Sequence, residues 1–130
     1  MSIDIIGFGA AGVSAGLHIF IFYLESIVWT GPLAAKIFGL TPETASKTRE
    51  LAFNQGFYNL FLANVTLIGT AMSLMGQPLV GRTLMLVGTG VMLAAAVVLF
   101  LSSPDKRSTA CKQGLFPLLA IVMLAAGTAT

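Results

Sequence analysis

Ionisable and amide side chains are scarce in this chain, and the few that interrupt its apolar stretches recur at helical spacing. Ser14, His18, Glu25 and Trp29 are four, seven and four residues apart, which places them along one face of a helix. Asn54, Gln55, Tyr58 and Asn59 make a second face through their i and i+4 relations, continued by Thr66 and Thr70. Gln113 opens a further apolar stretch. A carboxylate and an imidazole bridged by amides and a phenol have the chemistry of a proton path, or of the polar end of a pocket for a small amphiphile. The same groups can serve as a buried hydrogen-bond network that pins helices in register. A third use is acid–base catalysis by Glu25 and His18.

Other chemistries lack their residues. One histidine and one intramembrane glutamate leave a zinc site without a third ligand, and a lone His18 is far short of a haem motif, so neither metal nor cofactor is expected. There is no glycine-rich phosphate loop and no placeable Ser-His-Asp set. Cys111 is the only cysteine, which excludes an intrachain disulfide and reads as a packing or loop residue. With seven Lys/Arg against five Asp/Glu the net charge is +2, too little for a nucleic-acid-binding face.

The elements that must position these groups are membrane helices. The chain has 130 residues, 56% hydrophobic and 9% charged, whereas a soluble domain carries roughly 25% charged residues. Between Ile5 and Trp29 only His18 and Glu25 can ionise; Leu51 to Met75, Thr83 to Leu101 and Gln113 to Thr130 carry no charge. About 20 apolar residues span a hydrocarbon core. The reading is an all-α, polytopic membrane protein: one integral domain over 1–130, a four-transmembrane-helix bundle with helices at about 5–29, 42–75, 80–101 and 113–128. The first segment is expected to be retained rather than cleaved, since its start lacks Lys or Arg and carries Asp4.

Loop charge sets the orientation. Lys36, Lys47 and Arg49 lie in 30–50, and Lys106, Arg107 and Lys112 in 102–112, against Arg82 alone on the other side. The positive-inside rule then predicts a plasma (cytoplasmic) membrane protein with both termini outside and those two loops cytoplasmic. Gly31-Pro32 breaks the first helix, and Leu33 to Leu40 reads as a short amphipathic turn on the membrane surface. Thr41-Pro42-Glu43 supplies an N-cap, a proline at the first helical position and an acid in the first turn, so the second helix starts near Pro42. Ser102-Ser103-Pro104-Asp105 ends the third.

At about 1.5 Å of rise per residue, Glu25 lies about 6 Å below the cytoplasmic boundary, Asn54 and Gln55 about 5 Å, Tyr58 and Asn59 about 10 to 12 Å and His18 about 16 Å. An interior polar cluster in the cytoplasmic half, built by the first, second and fourth helices and including Gln113, is the main spatial expectation. Gly9, Gly12 and Gly16 give the first helix a small-residue face, and Gly81, Gly88 and Ala95 give the third a heptad-spaced one; both can serve the bundle or a neighbouring protein, with bundle packing the favoured expectation. Trp29, Phe20 and Phe22 read as interfacial, lipid-facing aromatics. Gln55-Gly56-Phe57 and Gln113-Gly114-Leu115 open two helices alike, but the spacing between halves does not match a repeat.

His18, the stretch from Glu25 to Trp29-Thr30, Phe38-Gly39-Leu40-Thr41-Pro42-Glu43, Asn54-Gln55-Gly56-Phe57-Tyr58-Asn59 and Gln113-Gly114 together resemble a family of small bacterial membrane proteins, domain of unknown function thirteen-oh-four. The resemblance covers nearly the whole chain and implies four membrane helices and no established activity. The expected function is that of a non-enzymatic membrane protein whose polar interior is structural or binds a small amphiphile, lipid or quinone-like. It would act alone or as an accessory subunit of a larger membrane complex, its first partner being the lipid bilayer. The rivals are a small homo-oligomeric transporter or channel and an intramembrane enzyme using Glu25 and His18.

Overall fold

The computed structural model describes residues 2–128, with side chains from 3 to 127. Among them there is no strand. Five helices follow in order: α1 (Ser2–Phe22, extended by a π-helical turn over Tyr23–Ile27), α2 (Pro32–Phe38), α3 (Pro42–Leu74), α4 (Pro78–Ser102) and α5 (Arg107–Thr128), the last preceded by a 3₁₀ turn over Pro104–Lys106. Four stretches are long and apolar enough to cross a membrane: Ile3–Ile27, Pro42–Leu74, Pro78–Ser102 and Pro104–Gly127. The fold is therefore all-α and polytopic, as its charge-free runs require.

Helix ends follow local chemistry. Thr41 caps α3 by accepting the backbone N–H of Thr44 on Oγ1 at 3.1 Å, and Pro42 follows at the first helical position. α3 has 33 residues, about 50 Å of rise, so its charged start (Glu43, Lys47, Arg49, Glu50) extends beyond a hydrocarbon core of about 30 Å. α2 begins at Pro32 and ends at Gly39, whose φ of 66° is the left-handed conformation that a glycine closes a helix with. α5 starts at Arg107, ahead of the charge-free run beginning at Gln113, because a lysine and an arginine are good helix formers outside the hydrocarbon.

The helices fold into two compact units: one from the residues up to Gly16 and from Leu62 onward, the other Leu17–Phe61. In the first, close backbone approach does the packing. A Cβ on Gly69 would lie 2.7 Å from the Gly81 carbonyl oxygen and from the Met85 nitrogen, one on Gly7 would lie 3.0 Å from Leu124, and one on Gly114 3.1 Å from Ala96 Cβ. Such contacts let interhelical dispersion act without a hydrophobic driving force between lipid-solvated helices. Ala10, Ala11, Met85, Ala120 and Leu124 form the buried centre. The polar residues buried here bond their own helix: Ser14 Oγ donates to Ala10 C=O (2.8 Å), Thr66 Oγ1 to Leu62 C=O (3.0 Å) and Thr89 Oγ1 to Met85 C=O (2.6 Å). Thr66 and Thr70 thus serve this packing, Thr70 Oγ1 also reaching Met85 Sδ at 3.3 Å.

Two small-residue expectations are corrected. Gly9, Gly12 and Gly16 face open space, and the packed side of α1 is Gly7, Ala11, Ser14 and Ala15. In α4, Gly81 and Gly88 pack against α3 but Ala95 is exposed and Ala96 is buried. Ala96 meets Gly114 of α5 rather than α3, so the heptad-spaced stripe does not continue along one contact.

Candidate functional site

The site lies within Leu17–Phe61, where the end of α1 meets the start of α3. Gly56 permits the approach: a Cβ there would run into Ser26 Oγ and come within 3.0 Å of the Ser26 nitrogen. Ser26 Oγ then donates to the Phe53 carbonyl at 2.8 Å, a bond from one helix to the backbone of the other. Phe22 packs edge-on against Phe57 (centroids 5.1 Å apart, 71° between planes), within a ladder of Phe53, Phe57 and Phe61 spaced by one turn.

Glu25 sits on the π-helical turn, which the bond from Val28 N–H to Tyr23 C=O closes at 3.1 Å. Such a turn inserts an extra residue, swings the residues after it about the axis, and recurs at functional positions. Glu25 Oε2 accepts Asn59 Nδ2 at 2.9 Å, and the same amide reaches the Gln55 carbonyl at 3.2 Å. An unpaired carboxylate at this depth would be costly, so the amide is an anchor as well as a neighbour. Four residues on, Trp29 Nε1 donates to Thr48 Oγ1 (3.0 Å), whose hydroxyl donates to Thr44 C=O (2.7 Å), while the Trp29 ring lies against Phe38 (5.3 Å).

Beside Glu25 opens a groove of about 440 Å³, with Asn54, Gln55 and Tyr58 on one wall, Trp29 and Thr48 at the end, and Leu51 and Ala52 along it. A smaller, more enclosed cavity of about 110 Å³ is shared by Glu25, Ser26, Trp29 and Arg49, room enough for water beside the carboxylate. The groove is within the size range of small-molecule sites and combines apolar walls with a few convergent polar groups.

Of the residues singled out from sequence, Glu25 and Asn59 are joined directly, and Asn54, Gln55 and Tyr58 share the groove with Glu25. Asn54 Nδ2 also bonds Glu50 C=O one turn back, at 3.0 Å. Tyr58 is 65% exposed, so this wall faces away from the protein. His18, 3% exposed, is buried two turns before Glu25 and does not line the groove. Gln113 belongs to the other unit, on α5, where it is half-buried. Trp29 and Phe22 are half-buried, each with a ring partner, and Trp29 has a hydrogen bond as well. Phe20 is exposed.

Ser26 and Gly56 are the site residues that sequence reasoning missed. A glycine between two blocks of large polar and aromatic side chains, in a helix with no reason to bend there, was the available signal.

The family described as protein of unknown function (DUF1304) matches residues 12–125. The chain belongs to this family. Comparison with curated proteins and with solved structures finds no match. The DUF1304 match covers all of the groove and both residues of its central pair, so the site lies inside the family's own domain. Among the described residues, no three His, Cys, Asp or Glu side chains of this DUF1304 protein come together as a metal site would need.

Proposed function

We propose that this protein is a non-enzymatic, multi-pass membrane protein that binds a small amphiphile in the groove beside Glu25. The observation that carries the reading is the Glu25–Asn59 hydrogen bond beside an open groove of mixed lining. A ligand with a hydrogen-bond-donating or cationic head would meet the Glu25 carboxyl, with the Asn54, Gln55 and Tyr58 side chains around it, and its apolar part would leave the groove into lipid. Lipids with an amine or hydroxyl head and quinone-like molecules in their reduced, hydroxyl-bearing form are the two classes with that division. His18 lies outside the groove, which favours binding over acid–base turnover by Glu25 and His18. The charge of loops 30–50 and 102–112 supports a cytoplasmic membrane with both termini outside, so that the groove opens near the cytoplasmic face.

A second reading rests on the exposure of Asn54, Gln55 and Tyr58 within a membrane-crossing helix. Polar groups facing lipid are unfavourable, and a helix from another subunit would cover them, as in a homo-oligomer or a larger membrane complex.

Native mass spectrometry from mild detergent tests both. The chain is expected to carry a retained amphiphile that is lost in Gln55→Leu and Tyr58→Leu, substitutions at exposed positions that leave folding intact. A wild-type chain free of any adduct would end the amphiphile reading. Stoichiometric self-association lost in the same two variants would move the conclusion to the subunit reading.

A further inference from the structure

A second groove, independent of the first, runs between α4 and α5 in the other unit. It has a volume of about 300 Å³ and an almost wholly apolar lining, with Leu93, Val97 and Phe100 on α4 and Cys111, Leu115 and Leu118 on α5 among its walls. Its lining on α5 extends to 11 residues beyond Arg107, about 16 Å of helix rise, which is close to half the thickness of a hydrocarbon core of about 30 Å. It is thus one leaflet deep.

One end of this groove is charged. Arg107 donates from Nε to the Phe100 carbonyl at 3.0 Å, and its guanidinium carbon lies 4.8 Å from the centroid of the Phe100 ring, itself part of the lining. The bond serves one of the carbonyls that the end of α4 leaves without a helical N–H, and it fixes the cation at the mouth. Lys106 precedes Arg107, and Lys112 follows the lining residue Cys111; both are exposed, and Asp105 is the only acid between Pro104 and Lys112. Arg107 thus stands at one end of a slot for hydrocarbon, and the segment Pro104–Lys112 around it carries three cations against one carboxylate. We propose that this groove holds an acyl chain of an anionic phospholipid, whose phosphate is met by Arg107, Lys106 and Lys112. A zwitterionic lipid offers the same chain without the net charge, and a helix of a second protein copy offers apolar surface without the phosphate. Charge complementarity at the mouth selects the anionic lipid.

The test uses the full chain in nanodiscs of equal parts phosphatidylglycerol and phosphatidylcholine, released into mild detergent for native mass spectrometry. Symmetric bilayers make the result independent of orientation. The expected result is retained phosphatidylglycerol favoured about tenfold over phosphatidylcholine, because the cations near the surface favour the anionic headgroup, falling to about equal retention in the Lys106→Gln, Arg107→Gln, Lys112→Gln triple variant. Val97→Trp fills the slot from an exposed wall and leaves the cations in place; it is expected to lose the lipid while its helical circular dichroism is unchanged. Equal retention of the two lipids by the wild-type chain overturns the proposal. So does undiminished phosphatidylglycerol in Val97→Trp, or a wild-type dimer without bound lipid that this variant dissociates.

Discussion

The two units handle polarity in opposite ways. In the unit containing α4 and α5, the buried Ser14, Thr66 and Thr89 turn their hydroxyls back to carbonyls of their own helices, and the helices meet chiefly through small residues and close backbones, with Arg82 and Thr70 making the polar contacts across. In Leu17–Phe61 the polar side chains reach across: Ser26 to the Phe53 carbonyl, Asn59 to Glu25, Trp29 to Thr48. Self-satisfied hydroxyls leave a join between helices with no polar group turned toward a ligand, so what such a unit can hold is hydrocarbon. Cross-helix bonds beside an exposed polar wall hold fewer apolar contacts and keep acceptors near the membrane interface, the end of the stability range from which binding regions are drawn. The contrast divides joins made chiefly by small residues from joins made by polar side chains.

The sharpest way to break that division is at Gly81. Its Cα rests against Gly69 and Ser73 of α3, and Gly81→Leu would force two backbones apart. Overpacking of this kind costs about 3 kcal/mol or more, and loss of the folded protein in detergent is the expected outcome. Gly12→Leu is the matched control: nothing lies within 4 Å of a Cβ there, so the change should stay within about 0.5 kcal/mol. Unfolding titrations with a denaturing detergent read both. Equal tolerance at the two glycines would remove the claim that close approach holds this unit.

Arg82 comes next. Its guanidinium pairs with Asp4 through Nη2 and donates to the Leu124 carbonyl from Nη1 at 2.9 Å, tying α4 to α1 and to α5. Gly127 is part of the same arrangement, since a Cβ there would strike the Asp4 carboxylate. Arg82→Ala should lower stability by about 2 kcal/mol, as expected for charge-assisted hydrogen bonds that are partly shielded from solvent. Lys47→Ala, at an i,i+4 pair with Glu43 whose side chains are both largely exposed, should change it by less than about 0.5 kcal/mol. A Lys47→Ala loss as large as that of Arg82→Ala would mean that Asp4 and Arg82 are no more than surface charges.

What was readable in the sequence, and what was not, follows the range of the interactions. Three charge-free runs and one interrupted only by His18 and Glu25 mark the four spans because hydrocarbon strongly disfavours charge, and Thr41-Pro42 marks the start of α3 because capping is local. Glu25 and Asn59 could be placed in one polar cluster from sequence, but helical rise put Glu25 level with Asn54 and Gln55, and the pairing with Asn59 came only with the structure. The Asp4–Arg82 pair joins residues 78 positions apart near two helix ends, where charges look solvated in any sequence reading. The face of α1 that packs was not decidable either, since Gly7 and Ala11 on one side and Gly12 and Gly16 on the other are equally small. The π-helical turn has no sequence signature here, yet it decides where Glu25 and Trp29 point.

The smallest expected effect bears on that last point. Trp29 is the only tryptophan, so its fluorescence reports the end of the groove without labelling. Thr48→Val keeps the shape of the threonine and removes the oxygen that accepts Trp29 Nε1–H. The loss of one hydrogen bond should cost about 0.5 to 1 kcal/mol and release the indole from Thr48, with the Phe38 contact remaining. Emission should shift, and quenching by lipids brominated near the headgroup should rise, because the half-buried ring gains access to the bilayer. A tryptophan that simply faced lipid would be quenched strongly from the start and would not respond to Thr48→Val. That outcome would leave the groove without its aromatic end, and the distinction between a unit joined chiefly by small residues and a unit joined by polar side chains would lose one of the three cross-helix bonds it rests on.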